Sequence, residues 1–353
     1  MAREDSWMLY GANGYTGELA AVEAVRRGLA PTLAGRRADA VRPIAERLGL
    51  PWVAFDLDDP ARIAEKLSGQ RALLLCAGPF SATSAPVVEA CLRAGVHYLD
   101  VTGEIDVFEA CQRRGAEART RGVVLLPGVG FDVVPSDCLA ATLKRALPDA
   151  TRLELAIATH GGTSRGTAKT VVEGLAQRGA VREGGVIRKV PHAYRTRTVQ
   201  FRDQARFAMT VPWGDVSTAF YSTGIPDIEV YLATPPRAVR ALRAVNPMVS
   251  LLGRPFAQRL LKSMIDRRPA GPDETTRARG STQLWGAVQN LAGQRVEATL
   301  STPEGYSFTA SAAVETTRRV ASGAVAPGAH TPSTAFGADF IKSFAGCDLR
   351  LPA

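Results

Sequence analysis

Cysteine, histidine and long apolar runs are all scarce in this chain, and each scarcity removes a class of function. Its five cysteines, Cys76, Cys91, Cys111, Cys138 and Cys347, form an odd set without close pairing. Neither a disulfide framework nor a zinc site is implied. The four histidines fall at His97, His160, His192 and His330, and no HExxH-like string, Ser/His/Asp spacing or carboxylate dyad accompanies them. Metal and covalent catalysis therefore have no support in the sequence. In the apolar region near residue 250 the longest uncharged stretch runs from Ala244 to Gly253, far short of the roughly 20 residues a spanning helix needs. The chain opens Met-Ala-Arg-Glu-Asp-Ser-Trp without a charged-then-apolar leader, so the expected location is a reducing cytoplasm. Blocks of five or six like charges are missing, and no aromatics interleave a basic stripe. Nucleic acid is thus a poor partner despite a formal net charge of +9. That charge suits an anionic cofactor, an acidic or acyl-carrier-bound substrate, or an anionic membrane face.

What the chain does have is 353 residues, 46% of them hydrophobic, enough for two cores. Residues 8 to 17, Met-Leu-Tyr-Gly-Ala-Asn-Gly-Tyr-Thr-Gly, read as a strand end followed by Gly11, Gly14 and Gly17. Gly11 allows a tight turn, Gly14 lets backbone approach a pyrophosphate, and Gly17 lets the next helix pack on its strand. The amides of that helix then face the anion. Helical spacing from Glu18 to a stop at Gly28, then a strand ending in Gly35-Arg36-Arg37, completes a βαβ unit. An NAD-selective protein places a carboxylate at that second strand end for the ribose 2′-hydroxyl. Two guanidiniums there favour a 2′-phosphate, although they also suit a solvated helix start.

Further strand-like runs at 52–56, 72–76, 97–101 and 123–127 alternate with helical patterns. This predicts α/β architecture, a Rossmann-type doubly wound parallel sheet. After a helix from Pro135 to Leu147 the texture changes to longer alternating runs at 152–159, 206–212, 228–233, 296–302 and 306–310, with a hairpin turn at Pro303-Glu304-Gly305. A second α+β domain with an extended antiparallel or mixed sheet is expected. The predicted boundaries are 1–148, 149–325 and 326–353.

Ligands of open α/β sheets lie at the carboxyl ends of the strands. Here those ends read Cys76-Ala-Gly-Pro-Phe-Ser81, Asp100-Val-Thr-Gly-Glu104 and Pro127-Gly-Val-Gly-Phe-Asp132, with Pro135-Ser-Asp137 following. Taken singly, Ser81, Ser84, Ser136 and Asp137 also suit helix caps. Together with Ala34-Gly-Arg-Arg37, Gly162-Thr-Ser-Arg-Gly-Thr167, Ser222-Thr-Gly-Ile-Pro-Asp227, Trp285-Gly286 and Thr331-Pro-Ser-Thr-Ala-Phe-Gly337, these segments resemble the saccharopine dehydrogenase-like oxidoreductases, including the bacterial trans-acting enoyl reductases. The resemblance spans nearly the whole chain. It implies an NADP-binding Rossmann domain, a second domain forming the substrate cleft and often the dimer contact of a homodimer, and a C-terminal segment, 326–353, returning to the first domain.

On this reading the cofactor, NADP(H), is held by Gly11, Asn13, Gly14, Tyr15, Thr16, Gly17, Arg36, Arg37, Asp56, Ala77, Gly78, Pro79, Phe80, Thr102, Gly103, Gly128, Phe131 and Asp132. Substrate contacts are expected from Ser84, Glu104, Ser136, Gly162, Thr163, Ser164, Arg165 and Thr167. The loop from His160 to Thr167 offers amides and hydroxyls to a carbonyl or anion, and Thr163 or Ser164 equally suits an N-cap. Tyr98, Thr102, His160 or ordered water are the candidate proton donors. The expected reaction delivers hydride to a C=C or C=N bond of a small-molecule or lipid-like substrate, with an apolar enoyl or enone favoured. Residues 235–268 carry eight Arg and Lys residues beside apolar Val245, Met248, Val249, Leu252, Phe256, Leu260 and Met264. The stretch reads as an ordinary solvated helix pair, an acyl-binding wall, or a peripheral membrane contact. The alternatives are a saccharopine-type imine reductase that forms an amine and, as a different class, a non-catalytic protein that binds NADP at a membrane face.

Overall fold

The computed structural model describes residues 6–159, 162–175, 178–248, 254–265, 267 and 269–351. The chain divides into two compact units, Met1–Val134 with Tyr306–Phe340, and Pro135–Gly305 with Ile341–Ala353. The changeovers fall earlier than the predicted boundaries at 148 and 325, and the last thirteen residues rejoin the second unit.

In the first unit, strands and helices alternate from the start: β1 (Trp7–Tyr10), α1 (Tyr15–Arg26), β2 (Thr32–Gly35), α2 (Ala38–Leu48), β3 (Trp52–Ala54), α3 (Pro60–Lys66), β4 (Ala72–Leu75), α4 (Phe80–Ala94), β5 (His97–Asp100), α5 (Ile105–Arg113), α6 (Gly115–Arg121) and β6 (Val124–Leu126). The strands pair in the order β6-β5-β4-β1-β2-β3, all parallel. That order reverses between β1 and β4, which opens a crevice at their carboxyl ends. Alternate residues of β1 feed opposite cores. Trp7 and Leu9 pack with Ala20, Ala24 and Val41, while Met8 and Tyr10 pack with Ile63, Val87 and Cys91. Both faces are thus covered by helices, as near-continuous apolar strands require.

The α/β class is therefore as read from the sequence, with one local correction. Residues 306–310 are not a strand, because Gly305–Ala321 is a single helix of 17 residues. Its buried Phe308, Ala312, Ala313, Thr316, Thr317 and Val320 follow a helical period, and Ala313, Val314 and Val320 close the core beside α1. The alternation in Tyr306-Ser-Phe-Thr-Ala310 was too short to tell the two periods apart. Downstream, Gly328–Ala329 adds a seventh parallel strand beside β6.

The second unit is built on a mixed sheet of nine strands. Helix α7 (Val134–Ala146) leads into β7 (Arg152–Thr159), followed by α8 (Arg165–Leu175), β8 (Gly179–Glu183), β9 (Val186–Val190), β10 (Thr196–Gln200), β11 (Ala205–Thr210), α9 (Asp215–Thr223), β12 (Asp227–Ala233) and α10 (Pro236–Val245). A hairpin of Ser281–Gln289 and Arg295–Pro303 follows, turning at Asn290 to Gln294 rather than at 303–305. Gly286 is small because Leu143 and Leu139 of α7 press on it; a Cβ there would lie 2.7 Å from Leu143 Cδ1.

Candidate dinucleotide site

The glycine loop has a separate cause at each position. Gly11 adopts φ +88° and sits against the turn after β4, where a Cβ would lie 2.8 Å from the backbone of Cys76 and Ala77. A Cβ at Gly17 would meet the Gly11 carbonyl oxygen at 2.1 Å, so only glycine lets α1 start this close. Gly14 differs: its Cβ would meet only the Gly11 oxygen, at 3.2 Å. A side chain there requires the Gly11 carbonyl to give by only a few tenths of an ångström, and the open space beside Gly14 is what a pyrophosphate needs. Asn13 is exposed and Gly14, Tyr15 and Thr16 are partly exposed, placing the start of a twelve-residue helix toward solvent. Gly35 makes room for Asn13, whose Oδ1 would lie 2.9 Å from a Cβ at that position.

At the end of β2, Arg36 and Arg37 are both exposed. Arg37 pairs with Asp39 at 3.4 Å, whereas Arg36 forms no ion pair among the described residues. Burial first, and then the Asp56 charge, raise the Tyr10 phenol to about 12, and Arg36 opposes them. Arg36 and the exposed Asp56 therefore flank one strand end.

The loops after β5 and β6 are tied together by a residue that sequence reading did not select. Asp100 is fully buried and accepts hydrogen bonds from the Tyr98 hydroxyl at 2.5 Å, the Thr102 amide at 3.0 Å and the Gly128 amide at 2.8 Å. Burial outweighs those three bonds and raises its carboxyl to about 6. The signal was available, since Tyr98 and Asp100 lie two apart on one strand and share a face. Tyr98 and Thr102 are themselves 0% exposed, so both position this knot and neither presents a proton to solvent. Burial, then Asp100, push the Tyr98 phenol well above its ordinary value.

Glu104 also has a structural task. Its two oxygens accept the Phe80 and Ser81 amides at 2.8 Å each, capping α4, whose own N-cap Pro79 offers no side-chain acceptor. A carboxylate at a helix N-terminus satisfies orphan donors and the helix dipole together. Glu104→Ala is expected to lower stability by about 1–2 kcal/mol, read as a fall in the thermal midpoint; an unchanged midpoint would show that water replaces the cap.

Asp132 stands apart from these satisfied groups. The residue is partly exposed, yet its Oδ1 is sealed from solvent without a hydrogen-bond partner, and burial raises the carboxyl from 3.8 to about 7. A Cβ at Gly103 would lie 2.9 Å from Asp132 Oδ2, so the carboxylate would have to shift to admit one. The preceding loop is held by the helix Gly305–Ala321: Thr309 Oγ1 accepts the Phe131 amide at 2.9 Å, and its Cγ2 fills the space a Gly130 Cβ would need. Tyr306 of that helix meets Tyr15 edge to face at 5.0 Å. Thr309 and Tyr306 were not selected from the sequence because their segment was read as a strand.

The remaining expected contacts are described within their own units. Ser84 is buried within α4 and Ser136 within α7, while the buried Asp137 accepts the Ser222 hydroxyl. In the second unit Ser164 Oγ accepts the Thr167 amide at 3.1 Å, so it caps α8. Gly162, Thr163, Arg165 and Thr167 are exposed, and His160 lies outside the described residues. A cleft of about 290 Å³ in that unit is lined by Arg152, Arg182, Glu183, Arg195, Asp227 and Glu229. Its charges balance, and both Arg152 and Arg195 pair with Glu229.

Residues 11–121 match a family model described as NAD(P)H-binding. The first unit is thus a Rossmann-type NAD(P)H-binding domain. A trans-acting enoyl reductase of Mycobacterium ulcerans (strain Agy99) is 32% identical over 161 residues, covering 42% of this chain and 38% of that protein. A saccharopine dehydrogenase-like oxidoreductase of Homo sapiens is 26% identical over 202 residues, covering 50% of this chain and 47% of that protein. The matches therefore span less than half the length of these relatives, whose names are those of the resemblance drawn from the motifs. Apo saccharopine dehydrogenase (L-Glu forming) from Saccharomyces cerevisiae superposes with a TM-score of 0.67 over 99% of this chain and 100% of its own at 10% identity, which establishes a shared fold.

Proposed function

We propose that this chain is an NADP(H)-dependent oxidoreductase that reduces a C=C or C=N bond, with a large apolar enoyl or enone as its favoured substrate. The observation that carries the reading is that the carboxyl ends of one parallel sheet bear both a glycine cradle that a side chain would fill and a carboxyl whose Oδ1 is sealed from solvent without a hydrogen-bond partner. The residues fit the dinucleotide: the Gly14 space suits the pyrophosphate, and Arg36 is available to a 2′-phosphate. When bound, the reduced nicotinamide supplies hydride to an electrophilic carbon. The protein's own tasks are orientation and proton supply. Asp132, raised to about 7, holds a proton near neutral pH and gives it to the atom left anionic by reduction.

Support for an apolar substrate comes from the second unit. A substrate rich in carboxylates needs several fixed cations, whereas the described loop residues 162–167 offer only Arg165, and in the cleft of that unit Arg152 and Arg195 already pair with Glu229.

Cofactor choice is tested by NADPH and NADH titration. Arg36→Ala is expected to weaken NADPH roughly ten- to a hundredfold, matching the loss of about 1.5–3 kcal/mol for a charge-assisted contact, and to leave NADH unchanged. Equal affinity of the unaltered protein for both cofactors would contradict the assignment.

A further inference from the structure

The basic apolar stretch 235–268 divides into two helices of opposite character. In α10, Val239 is 2% exposed and packs with Ala193 and Met209, and Leu242 adds to the same cluster. Arg237, Arg240 and Arg243 are exposed. This is an ordinary surface helix, apolar side inward.

The helix Pro255–Ile265 is apolar on its outward side as well. Ile265 is buried, and Gln258 Nε2 donates to the Val172 carbonyl of α8 at 3.1 Å, which fixes the inward side. Phe256, Leu260 and Met264 are 75%, 53% and 61% exposed. Their spacing of four residues puts them on one stripe, about 12 Å long at roughly 1.5 Å per residue. On α8, against which this helix packs, Val171 is also 57% exposed. Scattered exposed apolar residues are ordinary, but a contiguous stripe of large ones marks a contact surface.

Charge selects the occupant. Residues 254–268 contain Arg254, Arg259, Lys262, Arg267 and Arg268 against the single acid Asp266. A second copy docked across a two-fold axis would set this cationic stretch against itself. Anionic headgroups would neutralise it while the stripe enters the acyl boundary. We infer that the helix Pro255–Ile265 docks this protein on an anionic lipid surface, with Phe256, Leu260 and Met264 inserted among the lipids. Val249 and Leu252 lie outside the described residues, as do the side chains of Val245 and Met248, and the inference uses none of them. It also uses no residue of the dinucleotide site, so it stands or falls apart from the proposed oxidoreductase activity.

The experiment is flotation of the full chain with phosphatidylcholine vesicles, with and without phosphatidylglycerol, across a range of salt. The unaltered protein is expected to float with the phosphatidylglycerol vesicles, less so as salt rises, and to stay below with phosphatidylcholine alone. The triple variant Phe256→Asp, Leu260→Asp, Met264→Asp is expected to bind at least about tenfold more weakly, with unchanged circular dichroism and NADPH affinity. Arg254→Glu with Arg259→Glu should weaken binding only where phosphatidylglycerol is present. Failure of the unaltered protein to float, or equal flotation of the triple variant, would overturn the inference. So would a dimer in light scattering that the triple variant dissolves without change in vesicle binding, which would give this face to a second copy.

Discussion

Gly14→Val is expected to reduce NADPH affinity by at least about a hundredfold, equivalent to roughly 2.7 kcal/mol, while the protein stays folded. The reason is geometric. Gly14 has φ −85° in extended backbone, a conformation open to valine, and a Cβ there would meet nothing closer than the Gly11 oxygen at 3.2 Å. The branched side chain would instead occupy the path of the pyrophosphate. Gly17→Ala makes the contrast, since its Cβ would fall 2.1 Å from that same oxygen and the start of α1 must move. The first variant should keep its thermal midpoint and lose the ligand; the second should lose both. Fluorescence titration with NADPH beside circular dichroism melts separates them, and full affinity in a folded Gly14→Val would show that the loop is only a turn.

Asp132→Asn is expected to lower turnover by roughly 10²- to 10⁴-fold, the usual worth of a positioned acid, and to leave the NADPH dissociation constant near its original value. The same substitution carries a stability signature that does not depend on the substrate. Burial raises the Asp132 carboxyl from 3.8 to about 7, so the folded state is favoured with the proton on. That contribution is complete below pH 3.8 and is lost as pH climbs through about 7. Asn keeps the shape and carries no charge at any pH. The variant should therefore gain stability relative to the unaltered protein as pH passes from 4 toward 8 by this linkage. Denaturant melts across that range measure it, and parallel curves for the two proteins would show that Asp132 titrates like a solvated acid.

Local chemistry explains why some of this site was legible in the sequence. Gly17 is demanded by a contact within its own loop and Gly11 by its positive φ, so spacing alone exposes them. Alternation of strands and helices likewise conveys a parallel sheet. Long-range partnerships were not readable. A period of two places Tyr98 and Asp100 on one face of β5 without saying whether that face is sealed. Asp132 stands out as a polar residue, but its burial depends on contacts brought by folding, and its loop is held by Thr309, 177 residues later in the chain. Glu104 reads as a contact for substrate until the turn after β4 folds back and claims both its oxygens. Composition was also blind to the difference between α10 and the helix Pro255–Ile265. Both mix basic and aliphatic residues, three arginines in α10 and Arg259 with Lys262 in the other, and only packing decides which apolar stripe is turned inward.

The most direct test of the central proposal, reduction of an apolar double bond by NADPH, uses cofactor deuterated at nicotinamide C4 and a panel of enones and enoyl thioesters of increasing length, with lysine-derived imines beside them. Mass spectrometry of the products reads where the label goes. Deuterium on the β-carbon of the enoyl or enone product, at a rate that rises with chain length, is the predicted result. Label confined to the amine products, with no chain-length dependence, would contradict the apolar substrate, and tight NADPH binding without transfer to any acceptor would contradict the enzyme itself.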